Sequence, residues 1–217
     1  MRKTFWIAAG SALALAAAAM AYAQYRDTEE PDYASVAVDG AFELRDYPAL
    51  VVAEITHIGT RQAASSRSFR RLAAYIFAQD RPAGGERIAM TSPVLQDRVA
   101  EDEKIAMTAP VMEEQVAKDS WRMRFVMPAK YTLGTLPEPP SDITLTEIPA
   151  RHMAAVRFAG NGSAADLADM EQMLAEWIEA QGLRSKGTFE YAFYDAPMVP
   201  GPLRRNEVMI EVEEPRG

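Results

Sequence analysis

Ile88-Ala89-Met90-Thr91-Ser92-Pro93-Val94 returns a little further on as Ile105-Ala106-Met107-Thr108-Ala109-Pro110-Val111, with a polar stretch from Asp97 to Glu103 between the copies. Alternation at a period of two puts Ile88, Met90, Ser92 and Val94 on one face of a strand, and Ile105, Met107, Ala109 and Val111 on one face of the next. A hairpin centred near Val99 and Ala100 would set Val94 against Ile105, Ser92 against Met107 and Met90 against Ala109. Large then faces small across the pair, as on a packed apolar face. Each copy ends in Pro, which cannot donate to a ladder and marks an edge or a bend. The Met-Thr pairs read as core packing before that bend, since Met fills irregular gaps.

Outward from this pair the pattern continues to alternate between strand and helix. Phe42 to Arg45 and Leu50 to Ile58 read as strands joined by a kink at Pro48. Arg61 to Gln79 reads as a helix, with Phe69, Leu72, Ala73 and Ile76 at helical spacing. Pro82-Ala83-Gly84-Gly85 turns the chain. Trp121 to Met127 reads as a strand, Leu133 to Asp142 as a Pro-rich loop, and Ile143 to Gly160 as two strands bent at Pro149. Ala164 to Gln181 reads as a second helix between Ser163 and Gly182. Phe189 to Tyr194 and Asn206 to Val212 complete the set.

The second half echoes the first at an offset of 101 residues: Leu44 with Leu145, Pro48 with Pro149, Ala53 with Ala154, Gly59 with Gly160 and Leu72 with Met173. This predicts a duplicated strand-helix-strand-strand unit, over about 41–112 and 121–213. Two sheet halves, each with one apolar face and one amphipathic helix, bury little alone. Together they predict an α+β fold, mainly antiparallel, with both helices on one shared sheet.

Met1-Arg2-Lys3, an apolar run and Ala21-Tyr22-Ala23 form a secretory signal pattern over residues 1–23, with cleavage expected after Ala23. An uncleaved inner-membrane anchor is the alternative. Cleavage implies a periplasmic or secreted protein with no stable membrane insertion. Residues 24–40 are polar and acidic and read as a flexible tether, followed by a single domain over 41–217. Losing Arg2 and Lys3 leaves 21 basic residues against 31 acidic, which disfavours nucleic acid and anionic membranes as partners. The chain has no Cys, so disulfides and thiolate chemistry are excluded.

Catalytic parts are few. No nucleophile elbow, phosphate loop, zinc signature or calcium loop is present. The two histidines, His57 and His152, are expected on one sheet face at opposite ends of equivalent strands, a spacing unsuited to a shared metal. Glu101-Asp102-Glu103 reads as a solvated hairpin tip. The first helix carries Arg67, Arg70 and Arg71 beside Phe69 and Ala73, a basic cluster in an acidic protein. Such a surface suits a flat apolar ligand bearing carboxylates, because guanidinium forks pair with carboxylates.

Phe42 to Pro48, Phe69 to Ile76, Lys104 to Val111, Phe125 to Pro128 and Arg204 to Val208 together resemble the SOUL haem-binding protein family. The resemblance covers about Ala41 to Val212. It implies a twisted, barrel-like antiparallel sheet flanked by two helices. It also implies non-covalent binding of haem or another tetrapyrrole in a shallow apolar cleft beside the first helix. Carried over residue by residue, the cleft would involve Ser66, Arg67, Phe69, Arg70, Leu72 and Ala73, with Arg67 or Arg70 near the propionates. A His before the Tyr of the opening motif is a proposed axial ligand in some members; Asp46 stands there in this chain. That leaves His57 and His152 as candidate axial ligands, with Met90 and Tyr75 as further substitutes. The expected role is a carrier or buffer that performs no catalysis. The alternative is an effector- or partner-binding module for another apolar ligand, and a haem-modifying enzyme would lack an acid–base pair.

Overall fold

The computed structural model describes residues 28–99 and 120–213. Among these described residues, nine strands and two helices make an α+β fold: β1 (Ala34–Asp39), β2 (Phe42–Tyr47), β3 (Leu50–Ile58), α1 (Arg61–Ile76), β4 (Val94–Arg98), β5 (Ser120–Val126), β6 (Thr144–Ile148), β7 (Arg151–Ala159), α2 (Ala164–Ala180), β8 (Arg184–Phe193) and β9 (Arg205–Glu213). A short 3-10 turn, Gly201–Leu203, precedes β9. All strands join one antiparallel sheet in the order β1-β2-β7-β9-β8-β4-β5-β3-β6. Among the described residues no ladder joins β1 to β6, so the described sheet is open, with two edges. Leaving β1 aside, the order maps onto itself when β2 to β5 are exchanged with β6 to β9.

Both helices lie on one face. Leu72, Tyr75 and Ile76 of α1 pack on Ala53 and Ile55 of β3 and on Met123 and Phe125 of β5. Leu167, Leu174, Trp177 and Ile178 of α2 pack on β7, β8 and β9 through Ala154, Val156, Tyr191, Val208 and Ile210. Each fully buried aliphatic or aromatic side chain stabilises the fold by about 1.5–3 kcal/mol. Ser163 caps α2 by accepting from the Asp166 N–H at 3.1 Å, and the Asp166 carboxylate accepts from the Ser163 N–H at 2.9 Å. This reciprocal arrangement satisfies two N–H groups that the helix start leaves open. α1 ends three residues before Gln79, because Ala78 adopts a left-handed conformation at φ 56° and closes the helix.

Four expectations need correction. Ile88 to Pro93 is not a strand. Ile88 is buried and its N–H donates to the Ile76 carbonyl at 2.8 Å, so this stretch fastens to the end of α1. The ladder starts only at Val94, beyond the proline. Val94 pairs with Phe125 on one side and Phe193 on the other, which leaves no side open for the expected partner Ile105. The second copy, Ile105 to Val111, lies outside the described residues, as does the Glu101-Asp102-Glu103 tip. Asp97, expected to begin the polar stretch between the copies, is instead in β4, buried between Arg122 and Arg124. Residues 34–39 are an edge strand rather than tether; the alternation of Ala34 to Val38 was masked by the acidic run before it.

The fourth correction concerns the far face of the sheet. One apolar face per half was expected, yet Tyr47, Val52, Leu95, Val126, Met153, Ala155, Ala192, Tyr194 and Met209 form a third buried cluster on the side away from the helices. Buried ion pairs complete that face. Arg45 holds Glu207 at 2.6 and 3.1 Å, and Tyr194 donates its hydroxyl to Glu207 at 2.7 Å. Arg124 bridges Asp97 and Glu54, each at 2.9 Å, and Arg151 pairs with Glu190.

Candidate functional site

The residues expected to line a ligand cleft lie on α1, and at 100° per residue they divide between two flanks, with Arg67 and Arg71 nearer the other side as their spacing implied. Ser66, Phe69, Arg70 and Ala73 share the outer side and the flank turned toward β5. Phe69 remains 38% exposed and sets its ring edge against Phe125, centroids 5.3 Å apart. Ala73 is half-buried and packs against the cluster that holds Phe125. Ser66 is exposed and its hydroxyl donates back to the Gln62 carbonyl at 3.0 Å. Arg70 is exposed and has no acceptor among the described residues.

The other predicted members are placed elsewhere. Leu72 is fully buried in the α1 cluster, so it supports the surface from below and cannot line it. Arg67 turns to the opposite flank and donates to the Ile58 carbonyl. Arg71 on that flank pairs with Asp142 and Asp80. The three arginines therefore do not form one patch, and Arg70 is the member open to a ligand.

The histidines are far apart in the sheet, as the repeat register implied, and neither joins Phe69. His57 stands at the end of β3 with Nδ1 2.9 Å from the Ser68 hydroxyl. Burial, and then the charge of Arg67, hold its pKa below the usual imidazole value, so the neutral ring is favoured. His152 faces Asp46 directly across the β2–β7 ladder, and its Nδ1 meets the Asp46 carboxylate. The residue standing in the opening motif is thus matched with an imidazole from the other half. Among the described residues, no cluster of three or more metal-ligating side chains is present. Tyr75 donates its hydroxyl to the Pro137 carbonyl at 2.7 Å and is buried.

Two clefts open elsewhere, at one rim of the sheet. One of about 380 Å³ is lined by Leu50, Val51, Val126, Met127 and Tyr131 under residues 29–32. The other, a crevice of only about 10 Å³ with residues 30, 31 and 33 seated in it, lies on the far face between Tyr33, Tyr47, Leu95, Tyr194 and Met209. Sequence reasoning missed both, because residues 29–33 looked like tether. The one available signal was Pro31 and Tyr33, an apolar pair inside an acidic run.

The fold is shared with bacterial proteins of known structure. The C-terminal domain of EcmrR matches with a TM-score of 0.54 at 14% identity, over 84% of this chain and 98% of that one. In the EcmrR–DNA complex the TM-score is 0.55 at 14% identity, over 80% of this chain but only 57% of that one. A hydrolase from Listeria innocua matches at 0.53 and 13% identity, over 82% of this chain and 94% of that one. At these identities the likeness concerns the fold alone. A search of curated proteins returned no match. The sequence model of the SOUL haem-binding protein family matches residues 28–211, nearly the whole described chain. The chain belongs to that family. No described helix is long and apolar enough to cross a membrane.

Proposed function

We propose that this is an exported carrier or buffer of haem or a related tetrapyrrole, which it holds non-covalently on the outer flank of α1. Membership of a haem-binding family carries the reading. The local chemistry supports it: the exposed Phe69 ring gives a flat macrocycle an apolar contact, and the free Arg70 fork suits a propionate. His57 and His152 each have Nδ1 engaged and neither stands beside Phe69, so axial ligation by either would require the macrocycle to extend beyond that flank. The protein performs no chemistry on the ligand in this reading.

The signal is removed after Ala23 and the mature chain works in the periplasm or outside the cell; N-terminal sequencing of envelope-fraction protein would check this. The halves 41–112 and 121–213 descend from one duplicated unit, a reading supported by the strand order that maps onto itself.

Haem titration followed by absorbance tests the function. A saturable one-to-one Soret shift is expected, with affinity falling about tenfold in Arg70→Ala, a change of about 1.4 kcal/mol. Phe69→Ala should weaken it similarly, and Arg67→Ala little. Loss of the shift in His57→Ala or His152→Ala alone would name the axial ligand. Non-saturating binding that ignores all these changes would overturn the reading in favour of a module for another apolar ligand or a protein partner.

A further inference from the structure

Residues 29–33 cross the rim of the sheet as a strap tied at several points. Glu29 bridges to Thr91, and its carbonyl accepts from the Ser92 N–H at 2.9 Å. Its carboxylate accepts from the Ala129 N–H at 2.7 Å. The Glu30 carboxylate meets Arg205 at 3.0 Å. Tyr33 lies against Tyr47 with ring centroids 5.1 Å apart, and the Arg45 guanidinium sits 4.5 Å from its ring centre.

The two rim clefts share Glu30, Pro31, Leu50 and Val126 in their linings. Glu30 and Pro31 belong to the strap, so the strap is a partition across one larger cleft. The anchoring groups beneath it are donors or cations: the Ser92 and Ala129 N–H groups, Arg205 and Arg45. Arg151 lines the inner part, and its buried Nε–H has no acceptor among the described residues. Leu50, Leu95, Val126, Met209 and the rings of Tyr47 and Tyr194 supply the apolar wall. Against these groups the strap sets two carboxylates, a carbonyl, a proline and a tyrosine. An intramolecular occupant reports what its site prefers.

We propose that the cleft divided by the strap is a second binding site, for a small apolar molecule bearing one or two carboxylates, and that residues 29–33 occupy it as a built-in competitor. The site is separate from the α1 surface and does not depend on the tetrapyrrole reading. Ligand and strap compete, so apparent affinity scales with the fraction of molecules whose strap is lifted. Glu29 and Glu30 are exposed, and contacts of that kind are individually weak, so the strap can yield to a modest ligand.

Pyrene-1-butyrate, an aromatic carboxylate, is a suitable probe by fluorescence, with 1-pyrenemethylamine as its cationic counterpart. The Glu29→Ala/Glu30→Ala protein should bind the carboxylate one-to-one, about tenfold tighter than wild type. Adding Arg205→Gln should remove that gain, and the amine should show none. Phe69→Ala/Arg70→Ala should leave the binding unchanged, which separates it from the α1 surface. Because the chain has no Cys, Glu29→Cys/Thr91→Cys gives a clean lock between bridge partners. Oxidation should abolish binding and reduction restore it. Equal binding by wild type and the strap variant, an equal gain for the amine, or equal binding by the oxidised and reduced lock would overturn the proposal. The lock decides the matter even if the double Ala variant fails to fold.

Discussion

The two faces of the sheet are both buried, but by different means. Under the helices, burial is apolar: Leu72, Tyr75 and Ile76 on one half, Leu174, Trp177 and Ile178 on the other. On the far face, an apolar cluster sits among arginine–carboxylate pairs, with Glu207 and Asp97 almost wholly out of water. A buried ion pair adds little over an apolar substitute of the same shape, yet losing one member leaves a charge stranded. The helix face should therefore respond to lost volume in proportion to the cavity. The far face should respond to lost charge balance, steeply and with a dependence on pH.

The largest effect is expected from Glu207→Ala, which leaves the buried Arg45 with only the half-buried Glu43 as carboxylate partner, 2.7 Å away, and removes the acceptor of Tyr194. A loss of about 3–5 kcal/mol on chemical denaturation is expected. Burial opposes the Glu207 charge, but the hydrogen bond and charge of Arg45 hold its carboxyl below the ordinary Glu value. Glu211→Ala, whose partner Lys186 is exposed, should cost far less, because water and salt screen that pair. Equal losses at the two positions would break the contrast.

Leu72→Ala tests the other face and should cost about 3 kcal/mol through lost contact and cavity. Its effect should be the same at pH 5 and pH 8, because no charge is involved.

Acid unfolding comes next. Glu207 and Glu190 both titrate below the ordinary value of 4.5, Glu190 because the charge and hydrogen bond of Arg151 overcome its burial. Their pairs thus contribute stability that is present above pH 4.5 and is lost as the pH falls through the lowered values. Asp97 works in the opposite sense, since burial raises its pKa despite Arg124 and Arg122. Stability measured against pH should fall below 4.5, and more shallowly in Glu207→Gln once its lower starting stability is subtracted.

Ser163→Ala should cost about 1 kcal/mol by removing the cap of α2, with no dependence on the far face. The smallest effect belongs to His57. Its lowered pKa means that the unfolded chain takes up a proton before the folded one does. Stability present above pH 6.5 is therefore lost as pH falls from there toward the folded value. His57→Gln should flatten that slope in pH-dependent thermal melts.

Much of the element order was legible because its signals are local. The periodicity of Phe69 to Ile76, the cap at Ser163 and the bends at Pro48 and Pro149 each depend on neighbours a few residues away. The family motifs pointed to a cleft beside α1, and of the residues carried over Ser66, Arg67, Phe69 and Arg70 are exposed. Helical spacing already set Arg67 and Arg71 nearer the side opposite the apolar stripe that holds Leu72, with Arg70 at the margin. What each flank meets depends on where Phe125, Ile58 and Asp142 come to lie.

The chain by itself determined that its halves carry strands and one amphipathic helix each, and that packing without disulfides must hold them. Only the tertiary structure decided that Val94 lies between Phe125 and Phe193, that Asp97 and Glu207 are buried, and that an acidic segment becomes a strap. The physical reason is that polarity in sequence states the cost of burying a group, whereas its partner is supplied by a strand far along the chain. Arg45 and Glu207 are 162 residues apart, and no local pattern in either could announce the other.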